Sequence, residues 1–379
     1  MRCVAGNQIK LLRNGAEYFP ALEKAIQQAR YEIYLQSYIY EHDETGIRIG
    51  QALMHAAQRG VKVNLLLDGF GSQSLPKYYV QTLLDAKVNV MFYRPKISPW
   101  TLKKNRLRRL HSKVVVVDGV IAFVGGINII DDNNSPNQIP PRIDYAVQIT
   151  GKLLPAIDSS VQKLWRRMQL LHLRRLYMKP MIEPQHLPMP DNDVLAAFVI
   201  RDNILHRHDI ENAYLQAIQN AKREILIANA YFIPGRRFRR ALRDAAKRGV
   251  KVTLLLQGRK EYFLMFATHA FYNEFLDNNI EIHEYRKSFM HSKVAVIDGD
   301  WATVGSSNID PFSLLLARES NVFIKNQKFA TELQAEIQAQ ILNGGLKITP
   351  QIWGKASFFK RIASWLAYGM VRFFYRHDW

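Results

Sequence analysis

The apolar positions of this chain change period in a fixed order, and that order is written twice. Leu22, Ile26 and Ala29 recur at helical spacing, as do Leu215, Ile218 and Ala221, which predicts a helix early in each half. The runs VKVNLLL before Asp68 and VKVTLLL before Gln257 are short, apolar and bounded by glycine, the mark of buried strands. Each half reads helix, strand, helix, strand, loop and a last valine-rich strand. Helices alternating with buried strands predict an α/β fold, with a mixed sheet flanked by helices in each half.

The repetition extends to the residues themselves. AAQRGVKVNLLLDG at 56–69 returns as AAKRGVKVTLLLQG at 245–258, and ALEKAIQQARYEIYLQSYIY at 21–40 resembles YLQAIQNAKREILIANAYFI at 214–233. HSKVVVVDG at 111–119 returns as HSKVAVIDG at 291–299, followed by GGIN at 125–128 and GSSN at 305–308. Both copies obey H-x-K-x4-D-x6-G-[GS]-x-N. Units this long exceed solenoid repeats of about 20–50 residues, so two pseudo-symmetric domains facing each other are expected. The stretch 178–195 holds four prolines and fits neither continuous helix nor central strand. The expected organisation is a first domain at 1–177, a connector at 178–195, a second domain at 196–350 and a basic aromatic segment at 351–379.

On a strand, His111 and Lys113 share one face, and so do His291 and Lys293. Alternation turns Asp118 and Asp298 to the opposite face, where a structural role is expected. Small residues before Asn128 and Asn308 suit tight bends where an amide approaches a ligand. One such motif is weak information, whereas two with identical spacing are strong.

These paired motifs resemble the phospholipase D superfamily, whose duplicated HKD motifs meet at a domain interface in one active site. The segments RDNILHRHDIENAYLQAI at 201–218 and NAYFIPG at 229–235 look most like bacterial cardiolipin synthases. The resemblance implies that His111, Lys113, Asp118, His291, Lys293 and Asp298 form the catalytic motif set. One His attacks phosphorus, and the other protonates the leaving oxygen and then deprotonates the incoming alcohol or water. Family analogy favours His111 as the nucleophile. The lysines supply positive charge to the phosphate oxygens, and Asn128 and Asn308 add neutral hydrogen bonds. Each His needs an orienting carboxylate. Asp144 in RIDYAV and Glu319 in RESNV are the candidates, with the pairing open. A protonated Lys beside each His is a poor neighbour for a cation, so no metal and no other cofactor is expected. The first copy departs from the family pattern at Gly126, where many members carry Ser and a hydroxyl contact to phosphate.

Charge agrees with an anionic substrate: 52 Lys and Arg stand against 33 Asp and Glu, a formal +19. Anionic membrane and nucleic acid both fit such a balance. The positive charge clusters at KKNRLRR, 103–109, leading into His111, at GRRFRRALRDAAKRG, 235–249, and at WRRMQLLHLRR, 165–175. At 356–379 aromatics interleave with Lys and Arg, and Phe358, Ile362, Trp365, Leu366 and Met370 roughly share a helix face. Such a helix can lie on lipid or dock on the protein's own core. Cys3, the sole cysteine, excludes an internal disulfide and fits a reducing compartment. No signal peptide and no apolar run of the ~18–20 residues needed to span a bilayer is seen.

The resemblance therefore implies transfer of a phosphatidyl group from one phosphatidylglycerol to another through a phosphatidyl-histidine, with release of glycerol. The same motifs would serve a hydrolase using water, a nuclease, or, with the chemistry lost, a membrane-binding scaffold. The expected partners are anionic phospholipid and the membrane surface rather than nucleic acid. The expected location is the cytoplasmic face of a bacterial cytoplasmic membrane, peripherally bound.

Overall fold

The computed structural model describes residues 2–94, 108–135, 139–171, 194–259, 267–354, 364 and 366–369. The first half runs β1 (Val4–Arg13), α1 (Asn14–Gln28), β2 (Glu32–Ser37), α2 (Glu44–Gln58), β3 (Lys62–Asp68), α3 (Lys77–Asp85) and β4 (Asn89–Tyr93). It continues with β5 (Lys113–Val117), β6 (Ile121–Gly125), β7 (Arg142–Ile143), β8 (Tyr145–Gly151) and α4 (Leu154–Leu171). The second half runs β9 (Val194–Arg201), α5 (Asp209–Asn220), β10 (Glu224–Asn229), α6 (Arg236–Lys247), β11 (Lys251–Gln257), α7 (Tyr272–Leu276) and β12 (Glu281–Tyr285). It closes with β13 (Phe289–Met290), β14 (Lys293–Ile297), β15 (Trp301–Gly305), α8 (Pro311–Leu315), β16 (Glu319–Lys325), α9 (Gln327–Gly344), β17 (Gly345–Ile348) and α10 (Pro350–Gly354).

The two expected sheets are fused edge to edge. One 15-stranded mixed sheet has the order β17-β12-β11-β10-β14-β15-β16-β9-β1-β8-β6-β5-β2-β3-β4. Read outward from the β1–β9 seam, the two sides repeat the same sequence of strands, so the seam is the pseudo-twofold axis. The outer strands β2, β3 and β4 are parallel, as are β10, β11 and β12. The strands nearer the seam are antiparallel. Asn7, fully buried, ties the seam: its amide nitrogen donates to the Val194 carbonyl at 3.0 Å and its oxygen accepts from the Leu153 amide at 2.7 Å.

The apolar periods explain the layering. Leu22 and Ile26 of α1 pack with Ile33, Leu35, Val63 and Leu65 on one face of the first half. Ile218 of α5 packs with Ile225, Ile227, Val252 and Leu254 in the same way. On the opposite face a single apolar layer crosses the seam, joining Val114, Val147 and Trp165 to Val294, Val322 and Leu333. Each half alone would leave that layer open to water, so burial holds the halves together.

Residues 178–193 of the expected connector lie outside the described residues, and Val194 and Leu195 already belong to β9. The C-terminal segment docks in part on the second half, where Ser364, Ala367 and Tyr368 are buried and the Tyr368 ring meets Phe271 edge-on at 4.8 Å. Leu366 points outward at 65% exposure. Phe358, Ile362, Trp365 and Met370 lie outside the described residues.

Candidate active site

Both motif lysines open their strands, Lys113 at the start of β5 and Lys293 at the start of β14. His111 and His291 stand just before those strands, in extended approach segments. Each approach segment is held by the other half of the chain. The His111 amide donates to the Arg318 carbonyl at 2.9 Å, and the Arg318 amide donates to the Arg109 carbonyl at 2.7 Å. The His291 amide donates to the Ile143 carbonyl at 2.8 Å, next to the parallel β7–β13 pair. Arg318 and Ile143 each immediately precede a candidate carboxylate.

The carboxylates therefore cross. His111 Nδ1 lies 2.9 Å from Glu319 Oε1 and 3.0 Å from Oε2, and His291 Nδ1 lies 2.6 Å from Asp144 Oδ2. Each half supplies the base that orients the other half's histidine. An ionised carboxylate only accepts, so each Nδ1 carries the proton and each Nε2 keeps its lone pair. All six groups are buried: both histidines are 7% exposed, and Lys113, Lys293, Asp144 and Glu319 are 3% or less.

Burial sets the charges of this cluster. It pushes the Lys113 ammonium down to about 7 and the Lys293 ammonium down to about 8, against the pull of Glu319 and Asp144. It also lowers both histidines, with Glu319 partly restoring His111 and Lys293 further depressing His291. Asp144 is pushed up to about 6 by burial, which Lys293 opposes. A bound phosphate would reverse these trends, because an anion beside a cationic group favours its charged form. Until then the Lys113 ammonium curls onto the His111 carbonyl at 2.6 Å, and Lys293 makes the same contact with the His291 carbonyl.

Asp118 and Asp298 stand apart from this cluster, at the turns that end β5 and β14, with φ of 53° and 54°. Asp118 accepts the backbone amides of Arg30, Tyr31 and Glu32, each at 2.8 Å. Asp298 accepts those of Lys222, Arg223 and Glu224 at 2.7–3.0 Å. Each ties its hairpin to the start of the neighbouring antiparallel strand, β2 or β10. This is the structural placement that strand alternation predicts, away from the histidines and spent on backbone amides. Asn128 accepts from the Ile39 amide at 3.1 Å, while its own buried amide nitrogen has no partner among the described residues. Asn308 is buried with its side-chain oxygen unpartnered.

The Gly126 departure coincides with a close approach to Asp144. A Cβ at Gly126 would stand 2.3 Å from Asp144 Oδ1. Its counterpart Ser306 donates to Glu319 Oε2 at 2.5 Å, so the serine hydroxyl steadies that carboxylate. Gly126 with Asp144 and Ser306 with Glu319 are thus two solutions to one packing problem: the shorter acid needs the space, and the longer one needs the hydroxyl.

Several contributors carry no motif. The Tyr38 ring meets His111 edge-on at 4.9 Å and lies 5.3 Å from the Lys113 ammonium. Arg201, the first residue of RDN, is 1% exposed and donates to the carbonyls of Leu314 and Ala317 at 3.1 and 2.7 Å, bracing the turn that leads to Glu319. Asp310 caps α8 through the Ser313 amide at 2.7 Å, and burial pushes it up to about 7. Of the basic run 103–109 only Arg108 and Arg109 are described, with Arg109 3.7 Å from Asp68.

Comparison with known proteins decides the family. The family model for "Cardiolipin synthase, PLD-like domain" matches residues 22–138 and 214–341. The chain belongs to that family. Cardiolipin synthase B of Salmonella typhi is 38% identical over 380 residues, covering 97% of this chain and 89% of that one. Cardiolipin synthase A of Pseudomonas fluorescens is 33% identical over 342 residues, covering 89% of this chain and 69% of that one. The fold is shared with the crystal structure of phosphatidylserine synthase from Haemophilus influenzae Rd KW20, at a TM-score of 0.68 and 14% identity, covering 98% and 94% of the two chains. In this cardiolipin synthase-type chain each half-domain match spans the helices and strands that deliver one His-Lys pair. Among the described residues no helix is long and apolar enough to cross a membrane.

Proposed function

We propose that the chain is a phosphatidyltransferase that makes cardiolipin from two molecules of phosphatidylglycerol. The observation that carries this reading is the crossed pair of buried His–carboxylate contacts beside two buried lysines. Two oriented histidines on opposite halves suit an in-line exchange at phosphorus, one for each apical position.

The steps balance as follows. His111 Nε2 attacks the phosphorus of the first phosphatidylglycerol, forming a P–N bond as the P–O bond to the head-group glycerol breaks. His291, protonated once the phosphate is bound, gives its proton to the leaving glycerol oxygen. It then takes the proton from a glycerol hydroxyl of the second phosphatidylglycerol, whose oxygen attacks phosphorus and releases His111. Lys113 and Lys293 hold charge on the non-bridging oxygens, which gather negative charge in each transition state. Asn128 offers its unpartnered amide N–H to the same oxygens. Under this reading the protein works from the membrane surface at the cytoplasmic face, and lipid rather than nucleic acid is its partner.

Labelled phosphatidylglycerol in mixed micelles tests the reading. Cardiolipin and glycerol are expected from the unaltered protein and from neither His111→Ala nor His291→Ala. Phosphatidic acid alone would make water the acceptor and the protein a hydrolase. Cleavage of single-stranded DNA without lipid turnover would replace the lipid reading with a nuclease.

A further inference from the structure

Cardiolipin formation, if the proposed reaction holds, places a second phosphate near the site: that of the acceptor lipid, which does not react. A separate cavity of about 250 Å³ lies between α4, the end of β4 and the turn at 202–204, and reaches Arg318, the neighbour of Glu319 in the chain. Among the described residues Arg94, Arg108, Arg167 and Arg318 line it against a single carboxylate, Asp202. That carboxylate reaches Arg318 only at 3.9 Å and already accepts the amides of Ile204, Leu205 and His206. Arg108 Nε is buried without a hydrogen-bond partner among the described residues. Burial, with Arg167 nearby, lowers Arg318 below the ordinary arginine value. Clustered guanidiniums facing one acid, that of Arg318 desolvated, call for an anion, and their planar forks match phosphate.

The rim is of the opposite character. Leu171 and Ile204 line the cavity at 68% and 60% exposure, and Leu170 and Leu205 beside them are 56% and 81% exposed. A cationic interior under an apolar rim fits an amphiphile better than a free anion or a polynucleotide. The cavity is also wired to the chemistry. Arg318 precedes Glu319, and its carbonyl holds the His111 amide.

We propose that this cavity binds the phosphate of the acceptor phospholipid, with the acyl chains leaving over Leu171 and Ile204. The proposal rests on the transferase reading and names where its second substrate sits.

Two reactions of the full chain separate the two lipids. Exchange of labelled glycerol into phosphatidylglycerol needs only the donor site and a small alcohol, whereas cardiolipin formation needs the acceptor lipid. In Arg108→Ala and Arg167→Ala, cardiolipin formation is expected to fall about tenfold or more at fixed lipid, with exchange within about twofold of normal. Equal loss of both reactions, or loss of neither, overturns the proposal. If the unaltered protein performs neither reaction, the transferase reading fails, and binding decides the cavity by itself. Dihexanoyl-phosphatidylglycerol bound to the His111→Ala protein should then be weakened by Arg167→Ala. Affinity unchanged by that substitution, or matched by inorganic phosphate, overturns the lipid site.

Discussion

Glu319, from the second half of the chain, holds His111, from the first, through a 2.9 Å contact to Nδ1. With the reciprocal contact between Asp144 and His291, each half's histidine is held by a carboxylate of the other half. Converting the acid to an amide keeps its shape and removes the charge that fixes the histidine tautomer. Glu319→Gln is expected to lower kcat by about 10³–10⁴-fold with KM nearly unchanged. Steady-state kinetics beside a thermal melt would check this, the melt being expected to stay close to that of the unaltered protein.

The two carboxylates are matched to their neighbours, so a swap at one position alone should fail. Gly126→Ser drives a Cβ into Asp144 and is expected to cut kcat by about 10–100-fold through displacement of the acid. Ser306→Ala removes the hydroxyl from Glu319 and should cost about tenfold. Adding Asp144→Glu to Gly126→Ser recreates the Ser–Glu arrangement of the second half and should recover part of the loss. A double-mutant cycle would measure that coupling.

The buried lysines predict the alkaline side of the pH profile. Phosphate contact needs charged ammonium groups, and burial has lowered Lys113 to about 7 and Lys293 to about 8. Protonated forms dominate below those values and are lost above them, so kcat/KM, which reports the free enzyme, should fall as pH rises through this window. On the acid side His111 must be neutral to attack, and its value is lowered by burial, so activity should rise with pH below the ordinary histidine value. Lys113→Arg, whose charge does not titrate away, should move the onset of the falling limb upward, whereas Lys293→Arg should only make the limb shallower above about 8. An alkaline side that stays flat in the unaltered protein would count against the assignment.

Asp118 belongs to stability. Removing a carboxylate that accepts three backbone amides is expected to cost about 2–3 kcal/mol. Asp118→Ala should therefore lower the midpoint of denaturant unfolding while the folded fraction keeps normal kcat. A large kcat defect without destabilisation would return Asp118 to the catalytic set.

The duplication is what made the site readable. Val114–Val117 and Val294–Ile297 are buried strands with the same flanking residues, and repetition turned a weak motif into a firm one. The carboxylate candidates Asp144 and Glu319 also stand at corresponding positions on β8's approach and on β16. Their crossing is another matter. It follows from the β1–β9 seam, and neither strand announces itself: β1 carries no clean alternation, and its register shifts between Val4 and Asn7. The contacts of Tyr38, Arg201 and Ser306 were hidden for a related reason, although the last two sit in stretches the sequence flagged, since each acts on a partner that only the folded sheet brings near. The tail shows the limit of periodicity, because Leu366 shares the predicted apolar face yet points to solvent while Ala367 and Tyr368 pack inward.

The central claim is that His111 carries the phosphatidyl group between two lipids. Rapid quenching of the protein with phosphate-labelled phosphatidylglycerol, followed by peptide mapping under alkaline conditions, tests it most directly. The account predicts acid-labile label on the peptide containing His111, none on that containing His291, and loss of the label in Glu319→Gln. Label on His291, or turnover to cardiolipin with no adduct on either histidine, would contradict it.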